Sequence, residues 1–149
     1  MNLVNMILEG YEGYKKYSLE FKGYYYVDGD SLPEEAGIYC VYRADSNILK
    51  ELLYIGQTDN IKERFNSHEH YDDWEKHLIG NERLVFSYVS VLDEDERKRL
   101  EAALIFRIKP VCNEQGTKSF GYDTTEITIT GEAGALPEKL VVRKNERSK

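Results

Sequence analysis

Glu101 sits in the apolar run Leu100-Glu-Ala-Ala-Leu-Ile-Phe106, where an ionised side chain is costly without a partner. A divalent cation, Mg²⁺ or Mn²⁺, is one such partner; a single carboxylate leaves most of its octahedral shell to waters and substrate phosphate. The plainer alternative is a glutamate on the solvent edge of a helix, paired with Arg97 or Lys98. Arg64 and His68 are four residues apart, hence on one face of a helix. A planar guanidinium grips phosphate through two charge-assisted bonds, and an imidazole transfers protons or orients water. Tyr39 and Tyr54 lie in two β-branched runs and add two phenols. Phosphodiester hydrolysis needs an activated water, neutralisation of phosphoryl charge and help for the leaving oxygen. These residue types are the parts for it.

The elements that must position them follow from periodicity and turn chemistry. Gly37-Ile-Tyr-Cys-Val-Tyr42 and Leu52-Leu-Tyr-Ile-Gly56 flank the polar turn Ala44-Asp-Ser-Asn47, which predicts a β-hairpin with strands at 37–43 and 51–57. Asn60 with Glu63 three residues on reads as a capping box opening a helix near 60–69. A second helix is expected at 72–79, carrying Trp74 and Leu78, and a third strand over 83–92. Asp93 with Glu96 caps a long helix that Pro110 ends. Upstream, Tyr17–Phe21 and Tyr24–Val27 predict one or two strands that add to the sheet or cover it, closed by the turn residues Asp28-Gly-Asp30. Six of the twelve tyrosines fall in this extension, as half-exposed strand residues or as a platform for stacked bases. Downstream, Thr124–Thr130 and Lys139–Arg143 predict a C-terminal hairpin, and the last six residues are expected to fray.

Gly37-Ile38-Tyr39, Tyr54-Ile55-Gly56, Arg64, His68, Glu101 and Asn113 stand in an order and spacing that resembles the GIY-YIG nuclease family, over about 77 of 149 residues. The resemblance implies a compact α/β (α+β) domain with a central three-stranded antiparallel sheet of order 2-1-3 flanked by helices. It implies a divalent-metal-dependent endonuclease that cuts one DNA strand per site and leaves a 5′-phosphate. Catalysis falls to Tyr39, Tyr54, Arg64, His68 and Glu101, with Glu101 as metal ligand and Gly37, Gly56 and Asn113 in support. In the family a tyrosine of the first motif helps deprotonate the attacking water; a phenol does so only if nearby positive charge lowers its pKa. Tyr39, Tyr54 and His68 all stay open as the proton acceptor. Residues 1–36 then form an extension, 37–113 the core, and 114–149 a hairpin and tail, within one globular domain.

Net charge is −7, from 20 basic and 27 acidic residues, and a lone nuclease domain is ordinarily basic. The core itself carries 11 basic against 14 acidic residues. A DNA partner therefore calls for a local positive cleft, with Lys62, Arg64 and some of Arg97, Lys98, Arg107 and Lys109 beside Tyr39 and Tyr54. Arg64 and His68 are expected to converge about 5–10 Å from the Glu101 carboxylate, the reach across one phosphoryl group. The acidity also fits a second class: a non-catalytic binding or scaffold module with a protein partner, or a homodimer. His68 and His70 are two apart on a helix and cannot chelate one ion. His77 reads as solvated, and Asp72-Asp73 as a helix start. Cys40 and Cys112 lack metal-site spacing and read as reduced core thiols. With no membrane-spanning run and no secretory signal, the expected location is cytoplasmic.

Overall fold

The structure, a computed structural model, describes residues 12–27, 31–66 and 70–148. His68 and the turn Asp28-Gly-Asp30 lie outside the described residues. Strand β1 spans Lys15–Tyr26, β2 Gly37–Asp45, β3 Ile48–Thr58, β4 Arg83–Ser90, β5 Thr125–Gly131 and β6 Lys139–Val142. Helices α1 (Ile61–Asn66), α2 (Tyr71–Glu75) and α3 (Glu94–Ile108) complete the elements placed here. The six strands form one sheet in the order β3-β2-β4-β1-β5-β6. The expected 2-1-3 order survives locally, as β3-β2-β4, all antiparallel. The added N-terminal strand and C-terminal hairpin join the same sheet, so the central three strands become half of a six-stranded one. Residues 22–26 of β1 pair antiparallel with β4, whereas residues 15–21 pair parallel with β5, so the extension splices the C-terminal hairpin onto the core.

Gly37 to Tyr42 are all buried because β2 is central and covered on both faces, hence apolar without alternation. Ile38, Cys40 and Tyr42 face α3 in one cluster; Tyr39 and Val41 face α1, α2 and Trp74 in the other. β1 alternates instead: Leu19 and Phe21 are buried between exposed Ser18, Glu20 and Lys22. Its tyrosines pack on protein rings, Tyr25 at 5.5 Å from Phe86 and Tyr24 edge-on to Tyr42 at 5.9 Å, as strand residues do.

Both caps form as read. Asn60 Oδ1 accepts from Glu63 N at 3.1 Å, and Asp93 Oδ1 from Glu96 N at 2.9 Å. α3 ends where Lys109 turns left-handed (φ 53°) before Pro110. α2 stops at Glu75 rather than 79, because His77 N and Leu78 N bond back three residues, to Trp74 O and Glu75 O, in a tightening turn. The C-terminal tail is not frayed: Arg147 bridges Ser119, and Ser148 N donates to Lys118 O at 2.9 Å. Cys40 and Cys112 are free thiols, the first buried and the second half-buried. Among the described residues no helix is long and apolar enough to cross a membrane.

Candidate active site

β3 is an edge strand, so alternate backbone groups along it lack a strand partner. The segment after α3 supplies partners. Cys112 N donates to Leu53 O at 2.8 Å. Asn113 binds Ile55 twice: its Nδ2 donates to Ile55 O and its Oδ1 accepts from Ile55 N, each at 2.9 Å. Next in the same register, Gln57 N–H donates to the Glu101 carboxylate. A motif residue read as loop support is thus a backbone clamp on the strand that carries Tyr54. Asn113→Ala is expected to cost about 1–3 kcal/mol, the penalty for orphaning a paired buried group. A thermal unfolding midpoint equal to the parent's would remove the clamp from the account.

Gly56 lies opposite Tyr39 in the β2–β3 register. A Cβ at Gly56 would sit 2.4 Å from both Cζ and the hydroxyl oxygen of Tyr39, and 2.9 Å from Cε2 of Tyr54. The missing side chain is therefore the space through which the Tyr39 ring crosses β3. Tyr54 stacks beside it, with ring centroids 6.2 Å apart, and Phe65 of α1 closes the other side at 5.0 Å. Gly37 serves a different contact: a Cβ there would meet Val89 O of β4 at 2.4 Å.

Tyr39 is only 1% exposed, and burial pushes its phenol well above the usual range; neighbouring Tyr54 and Glu101 add to the rise, and Arg64 opposes it. The charge of Arg64 by itself does not offset this desolvation. Glu101 is half-buried, and burial pushes its carboxyl up to about 7 against the Gln57 N–H and the charges of Arg64, Arg97 and Lys98. Arg64 is half-buried, not turned to bulk solvent, and its charge reaches both Tyr39 and Glu101. The solvent-edge alternative for Glu101 fails: Lys98 pairs with Glu94 at 2.9 Å, and Arg97 turns inward. Arg97 is 4% exposed and donates to Gln57 Oε1 at 2.7 Å and to the carbonyls of Val91 and Leu92.

A half-buried hard oxygen donor that resists ionisation suits a divalent cation. Among the described residues no group of three His, Cys, Asp or Glu could hold such an ion, so Glu101 fits one only with water and phosphate oxygens as co-ligands.

Beside Glu101 opens a cleft of about 590 Å³ lined by Tyr54, His70, Asp73, Glu101, Asn113 and Glu114 among others. Its described lining contains no lysine or arginine; of the cations expected beside the tyrosines, Arg64 reaches Tyr39 and Glu101 by its charge. Others are spent on packing: Arg107 pairs with Glu146 at 2.8 Å, Lys62 approaches Glu34 at 4.0 Å, and Lys109 Nζ caps Phe106 O. The structure thus brings Tyr39, Tyr54, Arg64, Glu101 and Asn113 to one edge of the sheet.

Residues 35–114, just over half of the chain, match the family model described as the GIY-YIG catalytic domain. The chain belongs to the GIY-YIG family. A curated GIY-YIG relative, the UvrABC system protein C of Thermosipho africanus (strain TCF52B), is 35% identical over 83 residues. That stretch is 56% of this chain and 14% of the relative, so the chain matches about one-seventh of that protein. No solved structure matches.

Beyond the motif, Gln57 and His70 at this GIY-YIG site escaped the sequence reading, and Arg97 takes a different place from the one expected. Gln57 directly follows the second tripeptide and holds Glu101 by its backbone and Arg97 by its side chain. Its role was readable only from β3 being an edge strand. His70 was set aside because it cannot share an ion with His68; it lies against Tyr54 instead, centroids 5.2 Å apart, with Nδ1 3.5 Å from Asp73 Oδ2. Arg97 was expected at the cleft or paired with Glu101; the packing of α3 buries it on Gln57 and the carbonyls of Val91 and Leu92 instead.

Proposed function

We propose that this chain is a divalent-metal-dependent DNA endonuclease that hydrolyses one strand per site and leaves a 5′-phosphate. The observation that carries this reading is that the charge of Arg64 acts on both Tyr39 and Glu101, while Gly56 leaves the gap that the Tyr39 ring fills. Glu101 holds the Mg²⁺ or Mn²⁺, which when bound supplies Lewis-acid charge for the phosphoryl group. Gln57 N–H and the buried Arg97 keep the Glu101 carboxylate in place. Arg64 takes a phosphoryl oxygen through its planar fork. Tyr39, held neutral by burial, orients the attacking water by hydrogen bonding, while Tyr54 on the cleft wall and His68 remain the candidates for its proton. Arg64→Ala is expected to lower the single-turnover rate by at least about tenfold, the scale for losing one charge-stabilising donor. A parental rate would remove Arg64 from the phosphate.

One observation favours a second reading, a non-catalytic binding module for a protein partner: Asp73 and Glu114 share the cleft wall with Glu101. Nicking of supercoiled plasmid and of branched DNA separates the two. Strand scission with Mg²⁺ or Mn²⁺ that chelator abolishes supports the endonuclease. Folded protein that cuts neither substrate with either ion leaves the binding module.

A further inference from the structure

A chain of net charge −7 with an acidic cleft must meet DNA elsewhere if it is to cut it. Two segments outside the family-matched residues reverse the sign. Residues 115–123 and 139–148 together hold five basic and two acidic side chains, so the remainder of the chain is more acidic still. They lie side by side: Ser119 bridges Arg147, Phe120 N donates to Glu146 O at 3.0 Å, and Ser148 Oγ donates to Thr117 O at 2.6 Å. The two acids are already engaged, Asp123 with Lys144 at 3.5 Å and Glu146 with Arg107 at 2.8 Å. Lys118, Arg143 and Arg147 are exposed, and none forms an ion pair with a described residue. Tyr122 adds a 37% exposed ring supported by Phe120, with centroids 5.7 Å apart. This surface begins where the cleft ends, since Gln115 and Gly116 line the cleft and Thr117 follows them.

We propose that this surface, formed by residues 115–123 beside residues 139–148, is the docking surface for the phosphate backbone of the DNA whose scissile bond enters the cleft. The inference rests on the endonuclease reading for what the cleft does, and on charge and continuity for where the duplex lies. Phosphate contacts position a duplex without reading its sequence, and each one releases condensed counterions. Loss of two contacts therefore has a defined signature in salt dependence. A general loss of net charge does not share it.

The test measures binding of a fluorescein-labelled DNA duplex over a KCl series, in a Glu101→Gln background so that the DNA stays whole. Lys118→Ala with Arg147→Ala is compared with Lys22→Ala plus Lys50→Ala, two exposed lysines elsewhere that also lack an ion pair with a described residue. The first pair should make the log–log salt slope shallower by about 2, and the second should leave it unchanged. Equal slopes for both pairs, whether changed or unchanged, overturn the docking surface. So does binding of polyglutamate as tightly as DNA, which reassigns it to an acidic protein. Should the alanine pair lower the unfolding midpoint, Lys118→Gln with Arg147→Gln removes the same charges and keeps side-chain bulk. Parental cleavage with an unchanged slope discards the docking surface alone. Specific binding by a parent that never cleaves discards the endonuclease alone, and absence of both discards both.

Discussion

Glu101→Gln is expected to abolish the proposed metal-dependent strand scission while the fold persists. The isostere keeps an oxygen that accepts the Gln57 N–H and removes only the anion. Loss of a Lewis acid worth several kcal/mol corresponds to a rate lower by about 10³-fold or more. Single-turnover cleavage by folded protein checks it, and a parental rate leaves Glu101 without its proposed role. The acid has a pH signature as well. Its carboxyl is pushed up to about 7, chiefly by burial, and stands near 4.3 in an unfolded chain. The folded state therefore binds its proton more tightly, so ionisation destabilises the fold. Relative to Glu101→Gln, the parent loses stability as pH rises from about 4.3 through about 7, and regains it on acidification. The difference in unfolding midpoint, variant minus parent, should thus be larger at pH 8 than at pH 5. Cleavage by the parent should fall on acidification through the same range, with a midpoint that moves lower as metal concentration rises, since proton and metal compete for one carboxylate.

Gly56→Ala is the second large effect and acts through space alone. The added methyl would stand 2.4 Å from the Tyr39 ring carbon and hydroxyl, far inside the non-bonded contact distance of a methyl carbon. The ring has nowhere to go: it is 1% exposed and packed between Phe65 and Tyr54. Overpacking of this kind costs about 1–3 kcal/mol, which lowers the unfolding midpoint by about 2–4 °C per kcal/mol in a domain of this size. Displacing the phenol by even about 1 Å lowers cleavage by about 10²-fold. Rates must be compared at a temperature where both proteins are folded. A variant that keeps both rate and midpoint would show that Tyr39 need not cross β3. Gly37→Ala is the contrast, because its clash is with Val89 O rather than with a site side chain; stability falls there without a direct disturbance of Tyr39.

What the chain shows in sequence is what neighbours within a few residues decide. The caps at Asn60 and Asp93 formed because a side-chain oxygen and an N–H three residues later need nothing else. The hairpin β2–β3 formed because two β-branched runs flank one short turn, and Tyr39, Tyr54, Arg64, Glu101 and Asn113 were legible as a series of residue types. Tertiary structure decided what depends on sums over distant elements. The parallel pairing of β1 with β5 joins residues about 110 apart, Lys15 to Thr125, and no local pattern encodes it. That pairing made the sheet six-stranded, and contacts with residues 117–120 tied down a terminus expected to fray. The cleft is acidic because Asp73 and Glu114, unremarkable in the chain, line it together with Glu101, while Lys98, Arg107 and Lys109 were drawn into ion pairs and a carbonyl cap elsewhere. Burial set the protonation of Tyr39 and Glu101 in the same way: desolvation is a property of everything packed around a group, and a sequence names the group without its surroundings.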